Sequence, residues 1–96
     1  MLFAIRCTDQ TEAGSLRRDT RPRHLDYLKS LGNALMLAGP LLAADGATPV
    51  GSLLLVEAAD QDAATKVAAG DPYAEAGLFA SVEVAPFRLV ILNPPA

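Results

Sequence analysis

The chain has 96 residues, 51% of them apolar, and a formal net charge of −3, with eleven acidic side chains against eight basic ones. That length makes one domain, residues 1–96, able to bury only about 60–65% of the surface its unfolded form exposes. The charge balance argues against a general nucleic-acid binder, which presents a basic surface, and no stretch reaches the roughly 20 apolar residues that a membrane span requires.

Leu2 to Cys7 reads as a first strand, with Phe3, Ile5 and Cys7 on one face and Leu2, Ala4 and Arg6 on the other. Thr8 to Asp19 is polar and reads as a loop, with or without a helical turn. Pro22 suits the first turn of a helix, with Thr20 or Arg21 as its cap region; that helix carries Leu25, Leu28 and Leu31 and stops near Gly32. Asn33 to Gly39 is a short apolar run, the second strand. Pro40 to Pro49 holds the turn signal Asp45-Gly46 and leads into a third strand, Val50 to Ala58. The continuous run Leu53-Leu54-Leu55-Val56 implies burial on both faces of that strand.

Asp60 caps a second helix that runs through Ala69, turns Ala64, Val67 and Ala68 inward and ends at Gly70. Asp71-Pro72 breaks the pattern, because the residue before a proline is pushed out of helical geometry, and Tyr73 to Gly77 makes a single turn. Phe79 to Leu92 is a long last strand in which Val82 and Val84 alternate with Ser81 and Glu83. Pro86 kinks it or sits where no ladder hydrogen bond is needed, and Asn93 to Ala96 is a tail.

The order βαββαβ is that of an α+β, ferredoxin-like domain: a four-stranded antiparallel sheet with two helices on one face. The other face keeps apolar side chains from strands two, three and four. Those need cover, and a second copy of the chain is the economical cover, so a homodimer is expected.

Six short pieces fall in order along the chain: Arg21-Pro22-Arg23-His24-Leu25, Ala38-Gly39-Pro40-Leu41, Gly51-Ser52, Asp71-Pro72-Tyr73, Ala76-Gly77-Leu78 and Pro86-Phe87. No single piece is specific, but their order and spacing resemble the YciI-like (YCII-related) family over nearly the whole sequence. The Gly32-Asn33 connection is slightly shorter than is usual there, which bears on the start of strand two and on neither candidate residue. The resemblance implies a ferredoxin-like fold, an assembly of the dimeric α/β-barrel type and a site centred on a histidine and an aspartate. The histidine after the Arg-Pro pair is His24, and the aspartate of Asp-Pro-Tyr is Asp71.

The residues themselves leave two readings open at each position. His24 is the only histidine, and its spacing from Leu28 and Leu31 places it on the core side of a helix start. It is either a proton carrier suited to neutral pH or a helix-start side chain with one satisfied hydrogen bond. Asp71 either orients the imidazole or only organises the turn before Pro72. Ser52 lines the same pocket as a hydroxyl donor, without the sequence surroundings of a nucleophile, and Gly51 beside it marks a bulge or a close backbone approach. Tyr73 offers a phenol to a ligand or lids the core. Arg21 grips a carboxylate or phenolate or pairs with a nearby acid. The run Arg17, Arg18, Arg21 and Arg23 is a solvated helix entrance or an anion-attracting rim.

Cys7, the single cysteine, reads as a buried small hydrophobe. No metal is expected from one histidine, one cysteine and scattered carboxylates. No cofactor is expected either, since the glycines are separated singles rather than a phosphate-binding loop. Met1 to Arg6 lacks the basic leader and long apolar region of a secretory signal, which points to the cytoplasm.

Two functions fit. One is a cofactor-free acid–base enzyme, an isomerase or lyase in which His24, held by Asp71, moves a proton on a small oxygenated, aromatic or unsaturated metabolite. The other is a non-catalytic dimeric module that binds a metabolite or partner. A solvent-reachable pocket at His24 favours the first, and a sealed one the second.

Overall fold

Alternation along the first strand sets the layers. β1 (Leu2–Asp9) buries Phe3, Ile5 and Cys7 on one face, and both long helices pack there: Leu28 of α1 (Leu16–Ser30) and Ala64 and Ala68 of α2 (Gln61–Ala69) join those residues in one core with Leu54 and Val56. The computed structural model describes residues 1–95. β2 (Leu35–Leu42), β3 (Pro49–Glu57) and β4 (Phe79–Phe87) complete a sheet ordered β2-β3-β1-β4, antiparallel at every pairing. This is the ferredoxin-like βαββαβ topology with both long helices on one face. A short helix, α3 (Pro72–Glu75), is inserted between α2 and β4. No helix among the described residues is long and apolar enough to cross a membrane.

Several boundaries differ from the sequence reading: β1 runs on to Asp9 instead of ending at Cys7, and β3 is shifted one residue earlier. The larger differences have physical reasons. Helix α1 starts at Leu16, so Pro22 lies inside it rather than in its first turn. An interior proline costs about 3 kcal/mol in an isolated helix. Here the turns before it are held by tertiary contacts: Thr20 is buried and Arg17 is tied to Asp9 on β1. A 3-10 turn, Gly32–Ala34, occupies the expected start of strand two, and β2 runs on through Pro40 to Leu42. Because β2 is an edge strand, a proline there removes no necessary ladder donor.

The last strand stops at Phe87 instead of Leu92. Phe87 pairs with Leu2, the first residue of β1, so the segment beyond has no strand beside it, and Val90, Ile91 and Leu92 stand exposed. In β3 the apolar run is not buried throughout: Leu54, Leu55 and Val56 are, while Leu53 is exposed on the helix-free face. Of the expected tail, Asn93 to Pro95 has no regular structure and Ala96 lies outside the described residues.

The remaining punctuation follows its local chemistry. Asp45 Oδ1 accepts from the Ala47 and Thr48 N–H groups at 2.9 Å each, closing the β2–β3 hairpin over Gly46. Asp60 caps α2 by accepting from Ala63 N at 2.8 Å.

Burial, reinforced by the Asp71 and Asp9 carboxylates and only partly offset by Arg17, pushes the Cys7 thiol up to about 12. The thiolate is the reactive form. Iodoacetamide at mildly alkaline pH should therefore leave Cys7 unmodified in the native protein and alkylate it fully in urea, as read by intact mass. Cys7→Ala should lower the unfolding free energy by about 1 kcal/mol in urea titrations.

Candidate functional site

Helix α1 presents Arg17, Arg21 and His24 at i, i+4 and i+7, one face of the helix. That face looks across to the Asp71-Pro72-Tyr73 corner. Pro72 forces Asp71 into extended geometry (φ −65°, ψ 127°), which turns its carboxylate back over the start of α3. There Oδ1 accepts from the Tyr73 N–H at 2.9 Å as an N-cap. The same carboxylate accepts from His24 Nδ1–H, at 2.8 Å to Oδ1 and 3.0 Å to Oδ2. Both side chains are buried.

An ionised carboxylate can only accept, so the contact places a proton on Nδ1, and in the neutral ring that leaves the lone pair on Nε2. Nε2 has no hydrogen-bond partner among the described residues, yet no buried side-chain nitrogen or oxygen there lacks one. Nε2 therefore reaches solvent, through a cleft of about 930 Å³ that His24 lines. The cleft lies between α1 and the β2–β3 edge, under the β1–α1 loop.

Tyr73 fastens the ring from the side. Its phenol plane stacks on the imidazole with centroids 3.9 Å apart and 17° between planes, and it meets Phe79 edge-on at 6.0 Å. The Arg17 guanidinium carbon stands 4.7 Å from the Tyr73 centroid. Arg17 and His24 are about 10 Å apart along the helix axis, and the tyrosine ring fills the space between them. Burial raises the Tyr73 phenol above its usual value, while the cations Arg17 and Arg21 pull it back.

Arg17 is the residue that the sequence reading did not single out from its arginine run. Its Nε and Nη2 grip Asp9 side-on at 2.8 Å each, and Nη2 also donates to Gly51 O at 2.8 Å and Ser52 Oγ at 3.0 Å. Burial alone would ease its proton off, but the hydrogen bond and charge of Asp9 outweigh that and raise its pKa further. The signal was its i, i+7 spacing from His24, which is visible only once the helix is begun ahead of Pro22.

The other expected residues divide. Ser52 is buried and lines the cleft with its hydroxyl on Arg17. Arg21 is exposed, lines the cleft and has no ion-pair partner among the described residues. Arg17 and Arg18 line it too, but Arg23 does not. Gly51 marks a close approach: a Cβ there would fall 2.3 Å from the Cys7 carbonyl oxygen of β1. Among the described residues no three His, Cys, Asp or Glu side chains are grouped as a metal site would need.

Fold and site together define a ferredoxin-like α+β protein with a buried histidine–aspartate pair opening on a cleft. Residues 1–88 match the YCII-related domain, and the chain belongs to that family. A protein named YciI from Escherichia coli O6:H1 is 35% identical over 97 residues, 94% of this chain and 99% of the relative. An uncharacterized protein from Haemophilus influenzae is 37% identical with the same coverage. Among solved structures, 5-chloro-2-hydroxyhydroquinone dehydrochlorinase (TftG) from Burkholderia phenoliruptrix AC1100, in complex with 2,5-dihydroxybenzoquinone, matches with a TM-score of 0.84 at 34% identity, over 92% of this chain and 94% of that one. Protein Atu4242 from Agrobacterium tumefaciens shares the fold at a TM-score of 0.55 and 13% identity, over 98% of each chain.

The Gly51 contact is with backbone, which cannot rotate away. Gly51→Ala should force β1 and β3 apart beside Ser52 and cost about 1–3 kcal/mol, the usual range for overpacking. A melting temperature equal to wild type would contradict the close approach.

Proposed function

We propose that the chain is a cofactor-free acid–base enzyme, of isomerase or lyase type, acting on a small oxygenated, aromatic or quinoid metabolite. The observation that carries the reading is the His24–Asp71 contact, with Nε2 left open to the cleft. In this reading Nε2 takes a proton from the substrate and the charge that develops on the ring is stabilised by Asp71. In an elimination, the electron pair that held the proton becomes a new π bond as the leaving group departs with its own pair. In an isomerisation, Nε2 returns the proton at another atom. Ser52, Tyr73 and Arg21 line the site as substrate contacts.

The similarity to TftG, a dehydrochlorinase seen with a dihydroxybenzoquinone, supports the substrate class. The alternative, a non-catalytic binding module, is disfavoured by the open path to Nε2, since a purely structural histidine gains nothing from it.

Turnover should be sought by incubating the protein with hydroxylated chlorohydroquinones and following halide release, alongside a metabolite-pool binding screen of wild type against His24→Ala. His24→Ala should abolish turnover. Asp71→Asn should keep the α3 cap, because Asn also accepts from the Tyr73 N–H, yet lower kcat by roughly 10²–10⁴-fold, because its amide now donates to Nδ1 and moves the proton to Nε2. Full activity in either folded variant would end the acid–base reading.

The assembly proposed for this enzyme is a homodimer through the helix-free face. Register places Leu37, Leu53, Leu55 and Phe87 on the face opposite Phe3 and Ile5, and all but Leu55 are exposed in the single chain. Light scattering at micromolar concentration should give a dimer mass, and Leu53→Lys should give a folded monomer. A monodisperse wild-type monomer would remove this part of the proposal.

A further inference from the structure

Two charges of opposite sign stand in the middle of the helix-free face. Arg6 of β1 lies between Leu53 of β3 and Glu83 of β4 in one row across the sheet. The residues before and after them on that face are short: Ala4 and Ala85 in one direction, Thr8 and Ser81 in the other. Arg6 and Glu83 are both exposed. Although they face each other across neighbouring strands, they form no ion pair, and neither has another charged partner among the described residues.

That arrangement becomes costly once the face is covered. β1 is an inner strand, so a second copy laid face to face takes the Arg6 guanidinium out of water. A buried charge left alone is strongly unfavourable, and only a well-placed opposite charge offsets the loss. Among the strand residues of this face the other carboxylate is Glu57, opposite Leu2, four residues along and about 13 Å away. Arg6 must therefore meet a Glu83, that of its own chain or that of the partner.

Shape and symmetry favour the partner's Glu83. With Ala4 and Thr8 as its neighbours along β1, the arginine has little of its own chain to lie against and projects toward whatever packs on the face. Packed sheets lie about 10 Å apart, a gap that an arginine side chain largely spans. A two-fold interface is self-complementary, so a contact from Arg6 to the partner's Glu83 brings its mate from Glu83 to the partner's Arg6. All four charges are then satisfied at once.

We infer that Arg6 and Glu83 form a reciprocal set of ion pairs across the two-fold axis of a homodimer, and that these charges set the register in which the helix-free faces pack. The inference rests on the homodimer reading and adds what selects its register. Leu37, Leu53 and Phe87 supply apolar attraction, which is non-directional and fixes no register by itself. A charge pair embedded among them does, because every other alignment leaves the charges unpaired.

Mixing complementary variants of the full chain tests this, with sedimentation and native mass spectrometry as readouts. Arg6→Glu and Glu83→Arg, each alone, put like charges together across the axis, and each should raise the dimer dissociation constant about a hundredfold. An equimolar mixture of the two should form heterodimers, because the pairs across the axis are then opposite in sign while each chain still carries like charges side by side. The double variant should dimerise as the wild type does.

Rescue in the double variant without heterodimers in the mixture would assign the pair to a single chain and overturn the inference. Unchanged dimerisation of both folded single variants would overturn it too, and would leave the homodimer itself standing. A wild-type monomer would remove the homodimer reading and this inference with it. If a reversal variant does not fold, Arg6→Gln and Glu83→Gln decide by the same mixing: their heterodimer keeps one intact ion pair and each homodimer keeps none. Heterodimers in excess of the statistical half support the inference, and a statistical mixture overturns it.

Discussion

The carboxylate of Asp71 lies buried where α1 meets α3, and its oxygens accept from His24 Nδ1–H and from the Tyr73 N–H. A carboxylate taken out of water costs several kcal/mol unless such donors replace its hydration. The corner has therefore little freedom: moving α1 away, or unwinding α3, leaves a buried charge with too few partners. One residue thus fixes the rotation of α1, the start of α3 and the tautomer of the only histidine. The reach of Nε2 into the cleft follows from that arrangement and not from any local feature of α1.

Tyr73 carries the constraint onward. Its backbone N–H is held by Asp71, its ring lies against His24 and beneath Arg17, and its far edge meets Phe79 at the head of β4. Arg17 then closes the circuit to the sheet through Asp9 at the end of β1 and through Gly51 and Ser52 on β3. The absence of a side chain at Gly51 is part of the same device, since it lets β3 approach the Cys7 carbonyl closely. The imidazole at one side of the tyrosine and the guanidinium at the other are held by one network, so a substitution at Arg17 or Asp71 disturbs both ends.

The sheet supplies the frame and its edges explain the prolines. Pro40 and Pro86 sit in β2 and β4, the two outer strands, where a missing N–H faces no partner strand. β4 ends where β1 begins to run out of residues, at the pairing of Phe87 with Leu2. The apolar segment that follows has strand-like composition but no neighbour to pair with. Strand formation needs a partner as well as a propensity.

Much of this was legible in the amino-acid order because it depends on short-range periodicity. Alternation in Leu2–Cys7, the Asp45-Gly46 turn, the Asp60 cap and the Asp-Pro break are local, and each appeared where its chemistry required. The His24 and Asp71 positions came from the family's pattern joined to a helix-face count, and the pair lies in contact. Other features were decided only in three dimensions. The start of α1 ahead of Pro22 depends on Arg17 finding Asp9, the end of β4 depends on where β1 stops, and the exposure of Leu53 depends on which face the helices cover. Those outcomes rest on contacts between residues far apart in sequence, whose free energies outweigh local propensities of at most a few kcal/mol and leave no periodic mark in the chain.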